Sequence, residues 1–345
     1  MKGVIGVDIG GTNLRAVLAD VVGGRVHIID RRVAHTEADH GPDDGVVTLT
    51  AMIEELLQKQ QWQAGDVGAM GVAVPGPTDP VLGVLLTPPN LPTWRNVPLK
   101  EMLEQATRIP VHLENDANLA GWGEFTQGAG RGSRHLLYVT VSTGIGGGIV
   151  LDGQLYSGAS GTAGEVGHVT LDPDGPLCNC GSRGCLEAMA SGTAIARMAR
   201  ERIAAGAASS LSPAADLQAT DVARAAEQGD ALAQAVMQET GTYLGLGLGG
   251  LVNIVNPEVL VLGGGAIQSG EPLLAPMRRA LQARAFPSAF DGLRVEVAQL
   301  GQDAGLIGAA EWAVEHVRRQ KTGGAVRRSG ASGAESAIAA PHLGR

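Results

Sequence analysis

The three cysteines of the chain lie within eight residues of one another, at Cys178, Cys180 and Cys185. His168 lies ten positions before the first of them. Three thiolates and one imidazole form the closed four-ligand set that structural zinc prefers. The alternative is three buried apolar thiols and a surface histidine, but the glycine and asparagine around these cysteines make a poor core. The sequence therefore predicts a zinc site formed by these four side chains.

Two carboxylates, Glu165 and Glu187, stand at the two ends of this cysteine-containing segment. The predicted metal needs neither of them, because four ligands are already supplied. A loop that folds around a metal ion holds its neighbouring side chains in fixed positions. We therefore expect the segment from 165 to 187 to direct both carboxylates toward a ligand.

Two short glycine-rich loops follow predicted strands about 130 residues apart. A loop of this kind can offer several backbone N–H groups to phosphate oxygens. Neither loop is followed by the lysine of a P-loop, and neither has the G-x-G-x-x-G of a dinucleotide-binding fold. Each loop alone is compatible with a plain hairpin turn, but two loops in matching positions favour phosphate binding. The predicted phosphate contacts are Gly10, Gly11, Thr12 and Asn13 in the first loop and Thr143, Gly144, Ile145 and Gly146 in the second.

Two aspartates are placed to act beside such loops. Asp8 ends the first predicted strand, where it could hold Mg²⁺ directly or through water, or could instead cap a turn. Asp116 stands where a strand meets the start of a helix. Phosphoryl transfer to an alcohol needs a carboxylate that takes the hydroxyl proton and aligns the oxygen with the phosphate. Asp116 is the candidate for that role, and a helix N-cap is the alternative.

The composition restricts the classes of partner. The chain has 345 residues, of which 44% are hydrophobic, and a net charge of −9 at pH 7 without a basic stripe. This acidic balance argues against nucleic acid and against an anionic membrane. We interpret the N-terminal residues as a strand, because they are too short and too interrupted by glycine to resemble a signal peptide. Asparagine and proline interrupt the longest apolar stretch, so we do not expect it to span a membrane. Clustered cysteines that cannot form a disulfide framework suit a reducing, cytoplasmic environment.

The elements that must position these residues follow the same order twice. We predict strands over 4–8, 14–20 and 26–33 around the first glycine loop. A strand over 135–141, a loop over 142–148 and strands over 149–151 and 154–156 then repeat this order. Ser191 is predicted to cap a helix that starts at 194, and Thr220 is predicted to cap a helix that ends near 227. The duplication predicts two similar α/β domains with a ligand in the cleft between them.

Five motifs, in order, resemble the ROK family of sugar kinases, and most closely its bacterial glucokinases. They are DIGGTN at 8–13, PGP at 75–77, ENDAN at 114–118, STGIGGG at 142–148, and E-x-G-H followed by C-x-C-G-x-x-G-C-L-E over 165–187. The resemblance covers about residues 3–320. It implies an α/β fold of two similar actin-like, ribonuclease-H-like domains that flank a central cleft.

The resemblance implies a division of the chain. The N-terminal domain would contain residues 1–116 together with a C-terminal helix over 305–320. The larger domain would contain residues 117–304 and carry the zinc loop. Residues 321–345 lie outside the resemblance, and we expect them to form a disordered tail because they are poor in apolar residues.

The resemblance also implies roles for individual residues. Asp116 would be the general base, and His168 would ligate zinc through one ring nitrogen and contact the sugar through the other. The positions around the hexose would be Gly76, Asn90, Asn115, Asp116, Glu165, His168 and Glu187. ATP would bring Mg²⁺ and place its phosphates against the two glycine loops. Its adenosine would lie against Gly263, Gly264 and Gly265.

The expected reaction is phosphoryl transfer from ATP to the 6-hydroxyl of glucose, in a homodimer or homotetramer as is usual in the family. Fructose, mannose, N-acetylmannosamine or N-acetylglucosamine is the alternative substrate, because one pocket contact decides between such sugars. A sugar-responsive transcriptional repressor is disfavoured because a strand that starts at Val4 leaves no room for a helix-turn-helix domain before it. A non-catalytic sugar-binding module is disfavoured by Asp116 and the two loops. Polyphosphate stays open as a donor.

Overall fold

The computed structural model describes residues 2–214 and 216–322. Its first half is built on a five-stranded sheet with the strand order β3-β2-β1-β4-β7. The first three strands are antiparallel, and β4 and β7 continue the sheet in parallel. The strands are β1 (Gly3–Ile9), β2 (Asn13–Val22), β3 (Arg25–His35), β4 (Val67–Val74) and β7 (Val111–Asn115), and a small hairpin of β5 (Thr78–Asp79) and β6 (Val84–Leu85) stands apart.

The second half repeats this sheet with the order β10-β9-β8-β11-β12. Three antiparallel strands are again followed by two parallel ones. The strands are β8 (Leu136–Val141), β9 (Ile145–Leu151), β10 (Gln154–Leu155), β11 (Val259–Gly263) and β12 (Arg294–Val297). All residues of β1 and β11 are buried, as expected for central strands that helices cover on both faces. The predicted duplication is therefore present in the sheet topology.

Two helices lie between the halves and cross at close range. They are α3 (Asp116–Thr126), which packs on β8 and β9, and α10 (Ala304–Lys321), which packs on β1 and β4. Glycine lies at the crossing because a Cβ atom on Gly123 would come within 2.6 Å of the Ala304 carbonyl oxygen. A Cβ atom on Gly308 would likewise run into the carbonyl of Leu119. The two halves therefore meet through backbone-to-backbone contact.

The remaining helices cover the outer faces of the sheets. The first half has α1 (Pro42–Lys59) and α2 (Leu99–Thr107), which pack on each other. In the second half, α7 and α8 pack closely because Gly245 and Gly249 of α7 face α8. The second-half helices are α4 (Leu186–Ala190), α5 (Gly192–Ala204), α6 (Ala219–Glu227), α7 (Ala231–Val255), α8 (Glu271–Arg284) and α9 (Pro287–Phe290). No helix among the described residues is long and apolar enough to cross a membrane.

Several local predictions need correction. The loop predicted over 142–148 is shorter, because β9 begins at Ile145 and its glycines pair with β8. Thr220 is not an N-cap, since α6 starts one residue earlier and Gln218 and Asp221 cap it reciprocally. The hairpin of β5 and β6 and the short α9 were not predicted. The final helix continues to Lys321, and the predicted tail beyond 322 lies outside the described residues.

Candidate active site

The four predicted zinc ligands converge in the second half of the molecule. Their ligand atoms all lie within 4.8 Å of one another. The Sγ atoms of Cys180 and Cys185 are 3.7 Å apart, and Cys178 Sγ is 3.7 Å from Nδ1 of His168. A tetrahedral ion with zinc–sulfur bonds of about 2.3 Å places its ligand atoms at about this spacing. The donor set and its dimensions therefore fit a structural zinc ion.

The segment around these ligands folds through its own backbone. The N–H of Cys178 donates to the Ser182 carbonyl at 2.8 Å, and the N–H of Leu186 donates to Val169 at 2.9 Å. Gly184 has a φ of 61°, and a side chain there would run into the carbonyl of Asp172. Since only glycine meets both conditions without strain, the turn between the last two cysteines depends on it.

His168 joins the zinc cluster to one of the two flanking carboxylates. Its Nδ1 faces Cys178, and its Nε2 lies 3.8 Å from Oε2 of Glu165. The two ring nitrogens therefore point in different directions, as the predicted double role requires. The side chain of Glu165 is half exposed, so its carboxylate is available to a ligand.

The Asn115–Asp116 corner turns β7 into α3. The side chain of Asn115 is the N-cap, since its Oδ1 accepts from the N–H groups of Ala117 at 2.9 Å and Asn118 at 3.2 Å. Asp116 is the first helical residue, and its Oδ1 accepts from the N–H of Ala117 at 2.7 Å. The alternative reading of Asp116 as the N-cap is therefore wrong, because its neighbour holds that position.

Asp116 has an unusual protonation equilibrium. The residue as a whole is exposed, but a high density of protein atoms surrounds its carboxylate. This desolvation is the largest cause, and the charges of Asp8 and Glu165 add to it, so that the pKa of Asp116 rises to about 7. A carboxylate with a pKa near neutrality is well matched to proton transfer.

Asp8 lies beside Asp116 at the end of β1. A Cβ atom on Gly305 would lie 3.6 Å from Oδ2 of Asp8 and 3.9 Å from the Asp116 carbonyl oxygen, so the start of α10 touches both residues. Burial raises the pKa of Asp8, and its ion pair with Arg15 opposes this rise. Because Arg15 already bonds one oxygen of Asp8, the site fits Mg²⁺ held through water better than direct ligation.

The predicted sugar contacts form two groups around this corner. In the first group, a Cβ atom on Gly76 would lie 3.1 Å from Nδ2 of Asn115 and 3.6 Å from Oε1 of Glu165. In the second group, Asn90 lies against the first glycine loop, within 3.0 Å of where a Cβ atom on Gly11 would be. Gly76, Asn115 and Glu165 therefore surround one space, and Asn90 lies beside the predicted phosphate contacts.

The first glycine loop is held by backbone and side-chain bonds that leave its tip open. The N–H of Gly10 donates to Asn13, and the buried Thr36 donates its hydroxyl to the Gly10 carbonyl at 2.6 Å. Thr12 and Asn13 are exposed. Their side-chain hydroxyl and amide groups are available to a phosphate, whereas the backbone carbonyls of both residues already accept hydrogen bonds.

The second glycine loop has its own anchors. Thr193 at the start of α5 donates its hydroxyl to the Thr143 carbonyl at 2.7 Å, and Ser142 Oγ lies 4.0 Å from where a Cβ atom on Gly265 would be. The predicted adenosine contacts at 263–265 therefore lie next to this loop. The N–H of Ile145, however, donates to Oε2 of Glu187 at 2.9 Å. The prediction that this amide meets a phosphate needs correction, because a carboxylate already bonds it.

Two positioning residues were missed by sequence reasoning. Glu114 is buried, and its carboxylate accepts from the Asn115 N–H, from Asn118 Nδ2 and from the Ser157 hydroxyl, at 2.7–3.0 Å. It therefore ties the Asp116 corner to the segment that leads to Glu165. Arg15 pairs with Asp8 and donates to the Gln302 carbonyl at 2.7 Å. The available signals were that Glu114 opens the ENDAN motif and that Arg15 is a charged residue in the mostly buried strand β2.

Comparison with known proteins identifies the family of this chain. The model of the ROK family matches residues 4–316. The chain belongs to the ROK family. It is 38% identical to a glucokinase of Halalkalibacterium halodurans over 320 residues, which is 90% of this chain and 94% of that protein. It is also 31% identical to the xylose repressor of Bacillus subtilis over 313 residues, covering 90% of this chain and 77% of the repressor.

A solved structure supports the same assignment. The chain superposes on a ROK family glucokinase from Streptomyces griseus, solved with glucose and AMPPNP, with a TM-score of 0.72 and 35% sequence identity. The match covers 90% of this chain and 99% of that one. The predicted α/β fold of two actin-like, ribonuclease-H-like domains is therefore confirmed, and so is the predicted resemblance to glucokinases of the ROK family.

Proposed function

We propose that this protein is an ATP-dependent hexokinase that transfers the γ-phosphoryl group of ATP to the 6-hydroxyl of glucose. The observation that carries the proposal is the Asp116 corner. A carboxylate whose pKa is raised to about 7 lies close to Glu165 of the candidate sugar site and to Asp8, which precedes the first glycine loop. The neighbouring Ala117 lies against Gly146 of the second loop. The glucokinase relatives support glucose over other hexoses. The resulting product is glucose 6-phosphate.

The reaction requires the sugar hydroxyl to lose its proton as its oxygen attacks phosphorus. Asp116 accepts that proton and aligns the oxygen with the γ-phosphate. Amides and hydroxyls at the tips of the two glycine loops bind the phosphate oxygens. Asp8 would hold Mg²⁺ through water, and that ion would neutralise phosphate charge when it is bound with ATP.

The remaining polar side chains select the sugar. Gly76, Asn115, Glu165, His168 and Glu187 contact its hydroxyls, with Asn90 closing the side nearest the first loop. Polar partners that a bound sugar buries reject sugars that lack the matching hydroxyl. Zinc held by His168 and the three cysteines fixes the loop that carries Glu165 and Glu187.

Each of the two sheets belongs to one of two domains that move relative to each other in this proposal. We assign residues 1–116 and 305–320 to one domain and 117–304 to the other, so that α3 and α10 form the joint between them. Closure of the domains around both substrates excludes water, which limits wasteful hydrolysis of ATP.

The test is a coupled assay with ATP against a panel of glucose, fructose, mannose, N-acetylmannosamine and N-acetylglucosamine. Glucose should give the highest kcat/KM, and the variant Asp116→Asn should lower kcat by about 10²–10⁴. Asp152→Asn is the matched control, because Asp152 lies in the exposed turn between β9 and β10. Near-normal kcat for Asp116→Asn would show that this residue is not the general base. A higher kcat/KM for another hexose would identify that sugar, and not glucose, as the substrate.

A further inference from the structure

Glu187 makes two contacts that a simple sugar contact does not explain. Its Oε2 accepts the N–H of Ile145, the first residue of β9, at 2.9 Å. Its Oε1 lies 3.7 Å from Sγ of Cys178, on the side of the zinc cluster. One carboxylate therefore links the second glycine loop to the segment over 165–187 that carries the predicted metal ligands, which we call the metal loop.

The neighbouring residue shows that this contact is built into the fold. A Cβ atom on Gly144 would overlap Oε2 of Glu187, so any larger residue there would displace the carboxylate. Glu187 also follows Cys185, which is both a predicted metal ligand and the N-cap of α4. Its backbone is thus fixed by the metal loop, and its tip is fixed by Ile145.

From these contacts we infer that Glu187 couples the sugar site to the phosphate loop, an inference that rests on the proposed function. A sugar hydroxyl that bonds Oε1 fixes the orientation of the carboxylate. The same orientation sets the position of Oε2, and Oε2 holds the start of β9 and the loop over 142–144. Sugar and nucleotide therefore bind cooperatively, because each restricts the same side chain that the other needs in place.

The role assigned to Glu187 depends on the length of its side chain and not on its charge. A carboxylate beside a loop that binds phosphate is electrostatically unfavourable, so its charge does not explain its position. Glutamine has the same length and an amide oxygen that can accept from Ile145. Aspartate keeps the charge but is one methylene shorter, and it cannot reach Ile145 from the same backbone position. The two variants separate these explanations.

The experiment has two arms on the full chain with its metal. The first measures hydrogen exchange of the Ile145 amide in the protein without substrates. The second measures the Kd of AMPPNP with and without a saturating concentration of the hexose that the panel identifies. The ratio of the two Kd values is the coupling, which typically lies between about 5-fold and 150-fold for linked sites. Glu55→Gln is the control, since Glu55 is an exposed residue of α1 that pairs with Arg32 in the first half of the molecule.

We expect wild type, Glu187→Gln and the control to protect the Ile145 amide and to keep the coupling. Glu187→Asp should exchange that amide faster and reduce the coupling to about 1-fold. Full protection and coupling in Glu187→Asp would overturn the inference, and so would an absence of coupling in the wild type. Failure of the proposed function is distinguishable, because it would be an absence of phosphorylation across the whole panel while the exchange arm still reports the Glu187–Ile145 bond.

Discussion

At the scale of single residues, the proposed general base is Asp116. Its carboxylate occupies the first turn of α3, where the helix dipole and the Ala117 N–H favour the charged form. Crowding by protein atoms and the neighbouring charges of Asp8 and Glu165 favour the neutral form more strongly. The second set of effects is larger, so the residue titrates near neutrality.

This titration predicts a pH dependence of turnover. Since the general base must be ionised, kcat/KM should fall about tenfold per pH unit below an apparent pKa near 7. A pH–rate profile between pH 5 and 9 checks this. A profile that stays flat down to pH 5 would contradict the raised pKa.

The same titration predicts an effect on stability. The pKa of Asp116 is about 7 in the folded protein and 3.8 by ordinary reference. Between these pH values the unfolded chain ionises this carboxyl more readily than the folded protein does, which favours unfolding. Wild-type stability contributed by this residue is therefore lost as pH rises from about 4 to 7. Asp116→Asn should melt at a higher temperature than wild type at pH 8, and the difference should vanish near pH 4. Equal differences at both pH values would show that charge is not the cause.

At the scale of elements, the metal loop is the part most dependent on a ligand. Between 165 and 187 it has only short 3-10 and α-helical turns and isolated strand bridges, so its shape depends on the cluster. Chelation should remove one zinc ion per chain and expose three thiols to a colorimetric reagent. KM for the sugar should rise by at least about tenfold, because Glu165, His168 and Glu187 lose their positions. A chelated protein with free thiols and unchanged KM would show that the metal does not position them.

The crossing of α3 and α10 is the element that joins the halves. Gly308→Ala should destabilise the protein by about 1–3 kcal/mol, because a methyl group there meets the Leu119 carbonyl. Gly250→Ala on α7 is the matched control, since its Cβ atom would meet no heavy atom of the described residues within 4 Å. The control should be neutral or stabilising by up to about 1 kcal/mol. Denaturant unfolding measures both, and equal effects would contradict the close crossing.

At the scale of the whole molecule, a chain of rings links the first sheet to the second half. His112 of β7 stacks on His316 of α10 with ring centroids 3.7 Å apart. His316 meets Trp312 edge-on, and Trp312 meets Trp122 of α3 in the same way. Burial is the main reason why the pKa of His112 falls to about 3 and that of His316 is lowered. Lys100 and Arg319 disfavour protonation further, and Glu315 opposes them.

The buried histidine pair predicts loss of stability in acid. The folded-state pKa values lie below the ordinary 6.5, so stability is complete above that pH and is lost as pH falls toward 3. His112→Phe keeps a stacked ring without a titrating group. Between pH 8 and pH 5, its free energy of unfolding should fall by about 2 kcal/mol less than that of wild type. Unfolding measured at the two pH values checks this, and identical acid sensitivity would exclude His112 as the cause.

The sequence alone determined the local features of this protein. Cysteines in one short segment are close in space because the chain between them is short, so their spacing was enough to predict a metal cluster. Strand and helix periodicity, together with glycine turns, was enough to predict the duplicated sheets. The five motifs placed the chain in its family. Each of these signals depends on residues that are near one another in sequence.

Only the tertiary structure decided the contacts between distant segments. Glu187 meets Ile145 across 42 positions, and Arg15 meets Gln302 across 287. No pattern near Ile145 shows that its amide already has an acceptor, and none near Asp116 shows that Asp8 and Glu165 raise its pKa. Hydrogen bonds and desolvation act over a few ångströms of space, so they depend on which segments the fold brings together.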